Sequence, residues 1–188
     1  MRIRIIILFL LIGSLAQAQS IKDTIDPENF SSTLFEKGLY DRVNEYRRSL
    51  FLNPLTFNKK VYGAAEDHVN YILKTGKLTH EQDVEGKRTV YDRVKKYTGV
   101  TRFTVAENIA KSIVLKPAMM YDDKGVAGMH TAYTYEQAVN YVFNAWKQSD
   151  FHRQNMSKDS YTVTAIAVRF DPKDYSITAV QVFARFGS

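Results

Sequence analysis

The 188-residue chain contains no cysteine. This absence excludes disulfide bonds, thiol catalysis and lipid attachment through an N-terminal cysteine. A protein of this composition must therefore be held together by its hydrophobic core, even if it is exported to an oxidising compartment.

Long apolar runs are also missing from most of the chain. Beyond residue 18, no stretch approaches ~18 uninterrupted apolar residues, so no segment of the mature chain is expected to cross a membrane. Residues 1–18 differ, because Arg2 and Arg4 precede a short apolar core and Ala16-Gln17-Ala18 forms a small-x-small cleavage signature. We therefore expect a secretory signal peptide that is cleaved near Ala18-Gln19, which predicts an extracellular or periplasmic protein.

The remaining length is sufficient for one domain with a substantial core. Residues 19–33 are mostly polar and are interpreted as an N-terminal leader or linker, and residues 34–188 as a single domain.

The chain has little excess of one charge. Without Arg2 and Arg4, 24 basic residues face 20 acidic ones, a net charge of +4, and both signs are interspersed. No motif that cradles phosphate or reads bases accompanies this charge. The sequence therefore does not favour a nucleic-acid-binding protein.

Apolar residues recur at helical spacing in four segments, which predicts four helices. The first begins near Leu34, with Ser31 or Ser32 available as the N-cap. The second begins after Asn58 and ends at Gly76, because glycine readily takes the left-handed conformation that ends a helix.

A long segment without helical periodicity separates the third and fourth predicted helices. The third helix covers about residues 89–97, and the fourth begins at Thr134 in a capping-box sequence, TYEQ. Trp146, the only tryptophan, is the last member of the apolar stripe of the fourth helix and is predicted to be a core residue. Residues 111–133 show no clear period, and we interpret them as a long loop.

The end of the chain changes to β-branched and aromatic residues. The segments YTVTAIAVRF and YSITAVQVFARF are joined by the turn sequence DPKD, which predicts two adjacent antiparallel strands. Their near-continuous apolarity indicates burial on both faces. Four helices around a small antiparallel sheet define an α+β domain in three layers.

A few polar residues are not needed by such a core. His80 follows the end of the second helix, and His152 follows the apolar stripe of the fourth. Glu107 is embedded in the short apolar run VAENIA, where a carboxylate is costly unless it is paired. His68, by contrast, lies on the apolar stripe of the second helix and is interpreted as a core histidine.

Ser149 lies three residues before His152, which raises the question of a serine hydrolase. The spacing is common by chance, and neither a glycine-flanked elbow nor a third orienting residue is visible. Nucleophilic catalysis by Ser149 is therefore not favoured.

The order of several short motifs points to a known family. In this order, they resemble the bacterial branch of the CAP superfamily of cysteine-rich secretory, antigen five and pathogenesis-related proteins, whose domain is also called the SCP domain. The resemblance covers about residues 34–186 and rests on VNEYR (43–47), NPL (53–55), AAEDHVNYILKTGKLTH (64–80), DRVKKYTGV (92–100), AENIA (106–110), WKQSDFHRQN (146–155) and VQVF (180–183).

The resemblance implies an α-β-α sandwich and a cleft lined by two histidines and two acidic residues, which in several relatives holds a divalent metal. By motif, His80 and His152 match the two histidines and Glu107 matches the first acidic residue. Many eukaryotic members have a glutamate three residues after the tryptophan, where this chain has Ser149. Asp150 is the nearest carboxylate that could replace it.

Two functions follow from these expectations. In the first, the chain is a secreted binding module whose cleft recognises a lipid, a glycan or a protein. In the second, it is a hydrolase in which His80, His152 and Glu107 hold zinc, or Glu107 acts as the base on a zinc-bound water. The resemblance favours the binding module.

Overall fold

The computed structural model describes residues 19–113, 118–122, 125–130 and 133–187. The expected signal peptide, residues 1–18, lies outside these ranges. The described elements are a 3-10 turn (Pro27–Asn29), α1 (Ser32–Ser49), β1 (Thr56–Phe57), α2 (Lys59–Thr75), α3 (Val90–Thr98), β2 (Phe103–Ile113), β3 (Ala118–Asp122), β4 (Gly125–His130), α4 (Tyr135–Gln148), α5 (Asp150–Ser157), β5 (Val163–Asp171) and β6 (Ser176–Phe186).

The central sheet has four strands in the order β1-β5-β6-β2. β5 and β6 are antiparallel neighbours, as predicted, and β2 pairs antiparallel with β6 along its whole length. The two-residue strand β1 pairs in parallel with β5, so the sheet is mixed rather than purely antiparallel. All of β6 from Ser176 to Ala184 is buried, which agrees with the predicted burial on both faces.

Helices cover both faces of this sheet. α1 packs with α4 and α5 on one face, and α2 packs with α3 on the other. Each face has its own cluster of buried apolar residues. The arrangement is an α+β fold with three α-β-α layers, as the sequence predicts.

Local capping explains where most helices begin and end. Side chains of Ser31, Asn58, Thr89 and Thr134 accept hydrogen bonds from the first turns of α1, α2, α3 and α4. Gly76 and Gly99 end α2 and α3 in the left-handed conformation. The predicted starts and stops of these helices are confirmed within one or two residues.

One glycine brings α2 and α3 close together. A Cβ placed on Gly63 would lie 2.7 Å from the ring of Tyr97, so only glycine allows this ring to lie against α2. The close packing matters for the site described below, because α3 carries Arg93.

The predicted loop over residues 111–133 was wrong for residues 111–113, 118–122 and 125–130, which form strands, and the prediction for 114–117, 123–124 and 131–132 lies outside the described residues. β2 continues to Ile113, and β3 and β4 form a separate two-stranded hairpin with a register shift between Met120 and Tyr121. Hairpin strands satisfy their backbone hydrogen bonds with each other, so they do not need the regular apolar alternation that marks a strand buried in a core.

Two further elements were not predicted. Residues 150–157 form the separate helix α5, which begins immediately after α4, and residues 103–113 form strand β2. The segment interpreted as a leader lies against the domain, since Ile25 is fully buried and its N–H donates to the carbonyl of Tyr133 at 2.9 Å.

None of the described helices is long and apolar enough to cross a membrane.

Candidate functional site

The site is built around two consecutive residues of β2, Glu107 and Asn108. Successive side chains of a strand point to opposite faces of the sheet. Glu107 contacts residues of α3 and of the loop after α2, whereas Asn108 contacts α5. β2 lies at one edge of the sheet, so its side chains can contact residues from the helical layers on both faces.

Glu107 is buried and fully engaged. Its Oε2 accepts a hydrogen bond from Arg93 Nη2 at 2.6 Å, and its Oε1 lies 3.0 Å from His80 Nδ1. The side chains of Glu107 and Arg93 are only 1% and 0% exposed. The partner that the sequence required for this carboxylate is therefore an arginine on α3.

Arg93 also organises the loop that carries His80. Its Nη1 lies 3.3 Å from the carbonyl oxygens of His80, Lys87 and Arg88 and donates to them. One guanidinium group thus neutralises Glu107 and fixes both ends of the segment between α2 and α3. Arginine suits this position because its planar group offers five donors in a fixed geometry.

His80 lies at the opening of the site, and 55% of its side chain is exposed. A carboxylate oxygen can only accept, so we assign the Nδ1 proton of His80 to the bond with Glu107. Nε2 of His80 has no hydrogen-bond partner among the described residues.

His68 lies behind His80 and is completely buried. Its Nε2 is 2.7 Å from the carbonyl oxygen of Thr79, and Gln82 Nε2 is 3.1 Å from its Nδ1. The Thr79 carbonyl must accept, so Nε2 carries the proton and Nδ1 accepts from the Gln82 amide. The predicted core histidine is confirmed, and it also lies 3.5 Å from Glu107.

Burial lowers the pKa of His68, an effect that the nearby Glu107 carboxylate only partly offsets. The Gln82 amide faces the nitrogen that would have to take up a second proton. His68 is thus held as a neutral ring.

His152 reaches the same region from α5. Its backbone carbonyl accepts from Asn108 Nδ2 at 3.1 Å, and Asn108 Oδ1 in turn accepts from Asn155 Nδ2 at 2.9 Å. Burial lowers the pKa of His152, and the nearby His80 lowers it further. His152 therefore favours its neutral form.

The other two residues expected at the cleft are placed differently. Ser149 joins α4 to α5, and its side chain makes no capping hydrogen bond to α5. Asp150 is 74% exposed and pairs with Arg153 on the same helix. The contacts of Asp150 thus join it to α5 and not to Glu107 or the histidines.

The zinc set that the resemblance implies does not fit the geometry of the described residues. Among the described residues, no group of three or more His, Asp or Glu side chains is placed to hold a metal ion. Arg93 and His80 occupy the two oxygens of Glu107, so this carboxylate suits the positioning of His80 and not metal coordination. We therefore derive no metal-dependent step from this site.

Stability should fall as the site is acidified. Because the folded protein holds His68 and His152 with lowered pKa values, the unfolded chain takes up protons first as the pH falls below ~6.5. Their contribution is complete above that pH and is lost from there toward the lower folded-state pKa. We expect the free energy of unfolding to drop by up to ~1.4 kcal/mol per pH unit and per histidine, measured by urea titration between pH 7.5 and 5.

The matched variant for this measurement is His68→Gln, which replaces the titrating imidazole with a neutral amide that can also donate and accept hydrogen bonds. Its unfolding free energy should depend less steeply on pH than that of the wild type. Equal slopes for the two proteins would contradict a neutral, buried His68.

Several residues of the site were not predicted. Arg93, Asn108 and Asn155 each contact a predicted site residue or its backbone, and Gln82 contacts the core residue His68. The sequence signal for Arg93 was its position in DRVKKYTGV, directly before Val94. Arg93 and Val94 are the two buried residues of α3.

Comparison with known proteins agrees with this fold. A profile described as "CAP: Cysteine-rich secretory protein family" matches residues 40–183. Because the match covers most of the chain, the chain belongs to the CAP family. No curated protein sequence matches it.

Solved structures of bacterial proteins share the fold at low sequence identity. An outer surface protein from Borrelia burgdorferi has a TM-score of 0.64 and 18% identity, over 88% of this chain and 99% of that one. An extracellular SCP-domain protein from Bacillus anthracis has a TM-score of 0.56 and 19% identity over 80% of this chain. A cysteine-rich secretory protein from Staphylococcus aureus has a TM-score of 0.52 and 19% identity, also over 80%. The chain spans only 40% and 38% of the latter two.

Proposed function

We propose that this chain is a secreted binding module that recognises a lipid, glycan or protein ligand at the cleft formed by His80 and His152. The observation that carries the proposal is that Glu107 is buried and paired with Arg93. A general base must reach the proton that it removes, but the Glu107 side chain is 1% exposed and bound by Arg93. We therefore infer that a ligand meets the imidazoles of His80 and His152 rather than an accessible carboxylate.

The imidazoles suit a ligand that both donates and accepts hydrogen bonds. His80 presents its Nε2 to the ligand, since its Nδ1 is committed to Glu107. His152 favours its neutral form, in which one ring nitrogen donates and the other accepts. A hydroxyl or amide group of the ligand would match these partners. The buried Arg93–Glu107 pair keeps His80 in place, which limits the conformational entropy lost on binding.

An extracellular location is part of this proposal. The signal-peptide pattern of residues 1–18 supports it, as do the outer-surface, extracellular and secretory descriptions of the three structural relatives. N-terminal sequencing of the exported protein should give Gln19 as the first residue. Material outside the cytoplasm that still begins at Met1 would contradict cleavage.

The cleft is tested by binding measurements on the wild type and on two single variants. A chitotetraose solution, phosphatidylglycerol vesicles and an immobilised peptide library represent the three ligand classes. For whichever probe binds, His80→Ala and His152→Ala should each weaken binding by at least about tenfold, or ~1.4 kcal/mol. Asp150→Asn is the matched control, because Asp150 lies on the same helix as His152 but is exposed and paired with Arg153.

Two results would count against the proposal. Either the histidine variants bind the probe as tightly as the wild type, or Asp150→Asn weakens binding as much as they do. In the first case the ligand binds elsewhere on the domain, and in the second α5 acts through its charge.

A further inference from the structure

A pocket lies at the edge of the sheet opposite the candidate histidine site. Its volume is about 480 Å³, and it opens between α1 and α2 beside β1. The candidate cleft belongs to β2, whereas β1 is the strand at the opposite end of the order β1-β5-β6-β2. The pocket is therefore separate from the histidine site. Its lining includes Glu36, Lys37, Tyr40, Phe57, Lys59 and Tyr62.

Glu36 is the carboxylate of this pocket, and its side chain is 13% exposed. Its Oε1 accepts from the backbone N–H of Val168 at 2.9 Å and from the hydroxyl of Tyr62 at 3.2 Å. Oε2 accepts no hydrogen bond from any residue in the described ranges. Burial raises the pKa of Glu36, which is the consequence of a carboxylate removed from water with incomplete compensation.

Part of this arrangement has a structural purpose. β1 ends at Phe57, which pairs with Thr164 of β5. Val168 lies four residues further along β5, so β1 has no residue that could accept a hydrogen bond from its N–H. Glu36 Oε1 satisfies that amide. One carboxylate oxygen is sufficient for this purpose, and Oε2 remains for another partner.

Aromatic side chains form the walls around the carboxylate. The rings of Phe57 and Tyr62 are 6.1 Å apart and tilted, and the hydroxyl of Tyr40 donates to the carbonyl of Leu55 at 2.7 Å. Phe57 remains 52% exposed although it is a large apolar residue. Aromatic faces together with a carboxylate are the surroundings that proteins use to bind organic ammonium groups.

The nearby cations do not neutralise this carboxylate fully. Arg169 Nη1 is 3.8 Å from Glu36, but its Nη2 donates to Glu66 at 2.6 Å. Lys37 pairs with Asp41 at 2.6 Å. Lys59 lies in the exposed lining, where solvent and salt screen its charge.

We propose that this pocket binds a small primary ammonium compound with an aromatic or branched apolar body. The ammonium group donates to Oε2 of Glu36, and the apolar body lies against Tyr40, Phe57 and Tyr62. A positive ligand charge beside a partly desolvated carboxylate gains more than it would in water, because the local dielectric constant is lower.

The test uses 2-phenylethylamine, which is protonated at pH 7, and the neutral 2-phenylethanol, which has nearly the same shape. Chemical shifts of the mature protein are followed by NMR during titration up to about 10 mM, a range that detects affinities of ~1 mM. We expect saturable binding of the amine, with the largest shifts at Phe57 and Tyr62, and at least tenfold weaker binding of the alcohol.

Variants assign the interaction to Glu36. Glu36→Gln should weaken binding of the amine at least tenfold, and Phe57→Ala should weaken it several-fold. Glu45→Gln is the matched control, because Glu45 is also on α1 but pairs with Arg42 and lies outside this pocket. Phe57→Ala also serves as a second test if Glu36→Gln does not fold, since Phe57 is half exposed and contributes little to the core.

Three outcomes would overturn the inference. They are equal binding of the alcohol and the amine, unchanged binding by both Glu36→Gln and Phe57→Ala, and the absence of saturable binding over the whole range. None of these outcomes bears on the histidine cleft, because the two sites lie at opposite edges of the sheet.

Discussion

Replacing Arg93 with methionine is expected to lower the free energy of unfolding by ~3–5 kcal/mol, the loss typical when one partner of a buried ion pair is removed. The variant leaves Glu107 buried without its strongest partner, since the 2.6 Å bond to Oε2 is lost. It also leaves the carbonyls of His80, Lys87 and Arg88 without the guanidinium that joins them. Denaturant titration at pH 7 measures this difference.

Arg88→Met is the matched control for this measurement. Arg88 pairs with Glu81 in the same loop, but both side chains are more than half exposed. Exposed pairs of this kind contribute about 0–1 kcal/mol. If Arg93→Met destabilised the protein no more than Arg88→Met, Arg93 would not have the central place that its contacts indicate.

A double variant separates the ion pair from the loop contacts. Glu107→Gln removes the buried charge, and it should be less costly in the Arg93→Met background than in the wild type, because the two residues interact directly. Additive losses would mean that Arg93 acts through the loop carbonyls and not through Glu107.

The sequence predicted the helices well because their ends are set locally. Thr134 and Gln137 form a reciprocal capping box, and Gly76 ends α2 in the conformation that favours glycine. Each of these signals depends on residues within one turn, so no knowledge of the fold was required.

Strands at the edges of the sheet were harder to predict. β2 carries Glu107 and Asn108 in its middle, and these polar residues interrupt the apolar pattern that marks a buried strand. Both side chains are satisfied by partners that are remote in sequence, Arg93 and the backbone of His152. Such tertiary contacts cannot be inferred from local periodicity.

The same reasoning applies to the candidate site. His80 and Glu107 were selected from the sequence because neither fitted a packing pattern, and they are in contact. Arg93 was overlooked because arginines on amphipathic helices are mostly exposed, whereas this one is completely buried. The metal set was inferred from residue types, and the engagement of Glu107 by Arg93 depends on three-dimensional geometry alone.

Trp146→Ala is expected to destabilise the domain by ~3–5 kcal/mol, through lost transfer free energy and an unfilled cavity. Trp146 is completely buried in the core between α1, α4 and the sheet. Its Nε1 has no hydrogen-bond partner among the described residues, so the loss should come from packing alone. Trp146→Phe, which keeps most of the volume, should therefore lose less than half as much in the same denaturant titration.

Comparison with His152→Ala distinguishes a residue that packs in the core from one that lies at the cleft. It should cost less than ~1 kcal/mol, because the side chain is only half-buried and the bond from Asn108 is made to the backbone carbonyl, which alanine retains. A loss for His152→Ala equal to that for Trp146→Ala would mean that His152 supports the core. The side chain would then be held by its neighbours and would not be available to a ligand.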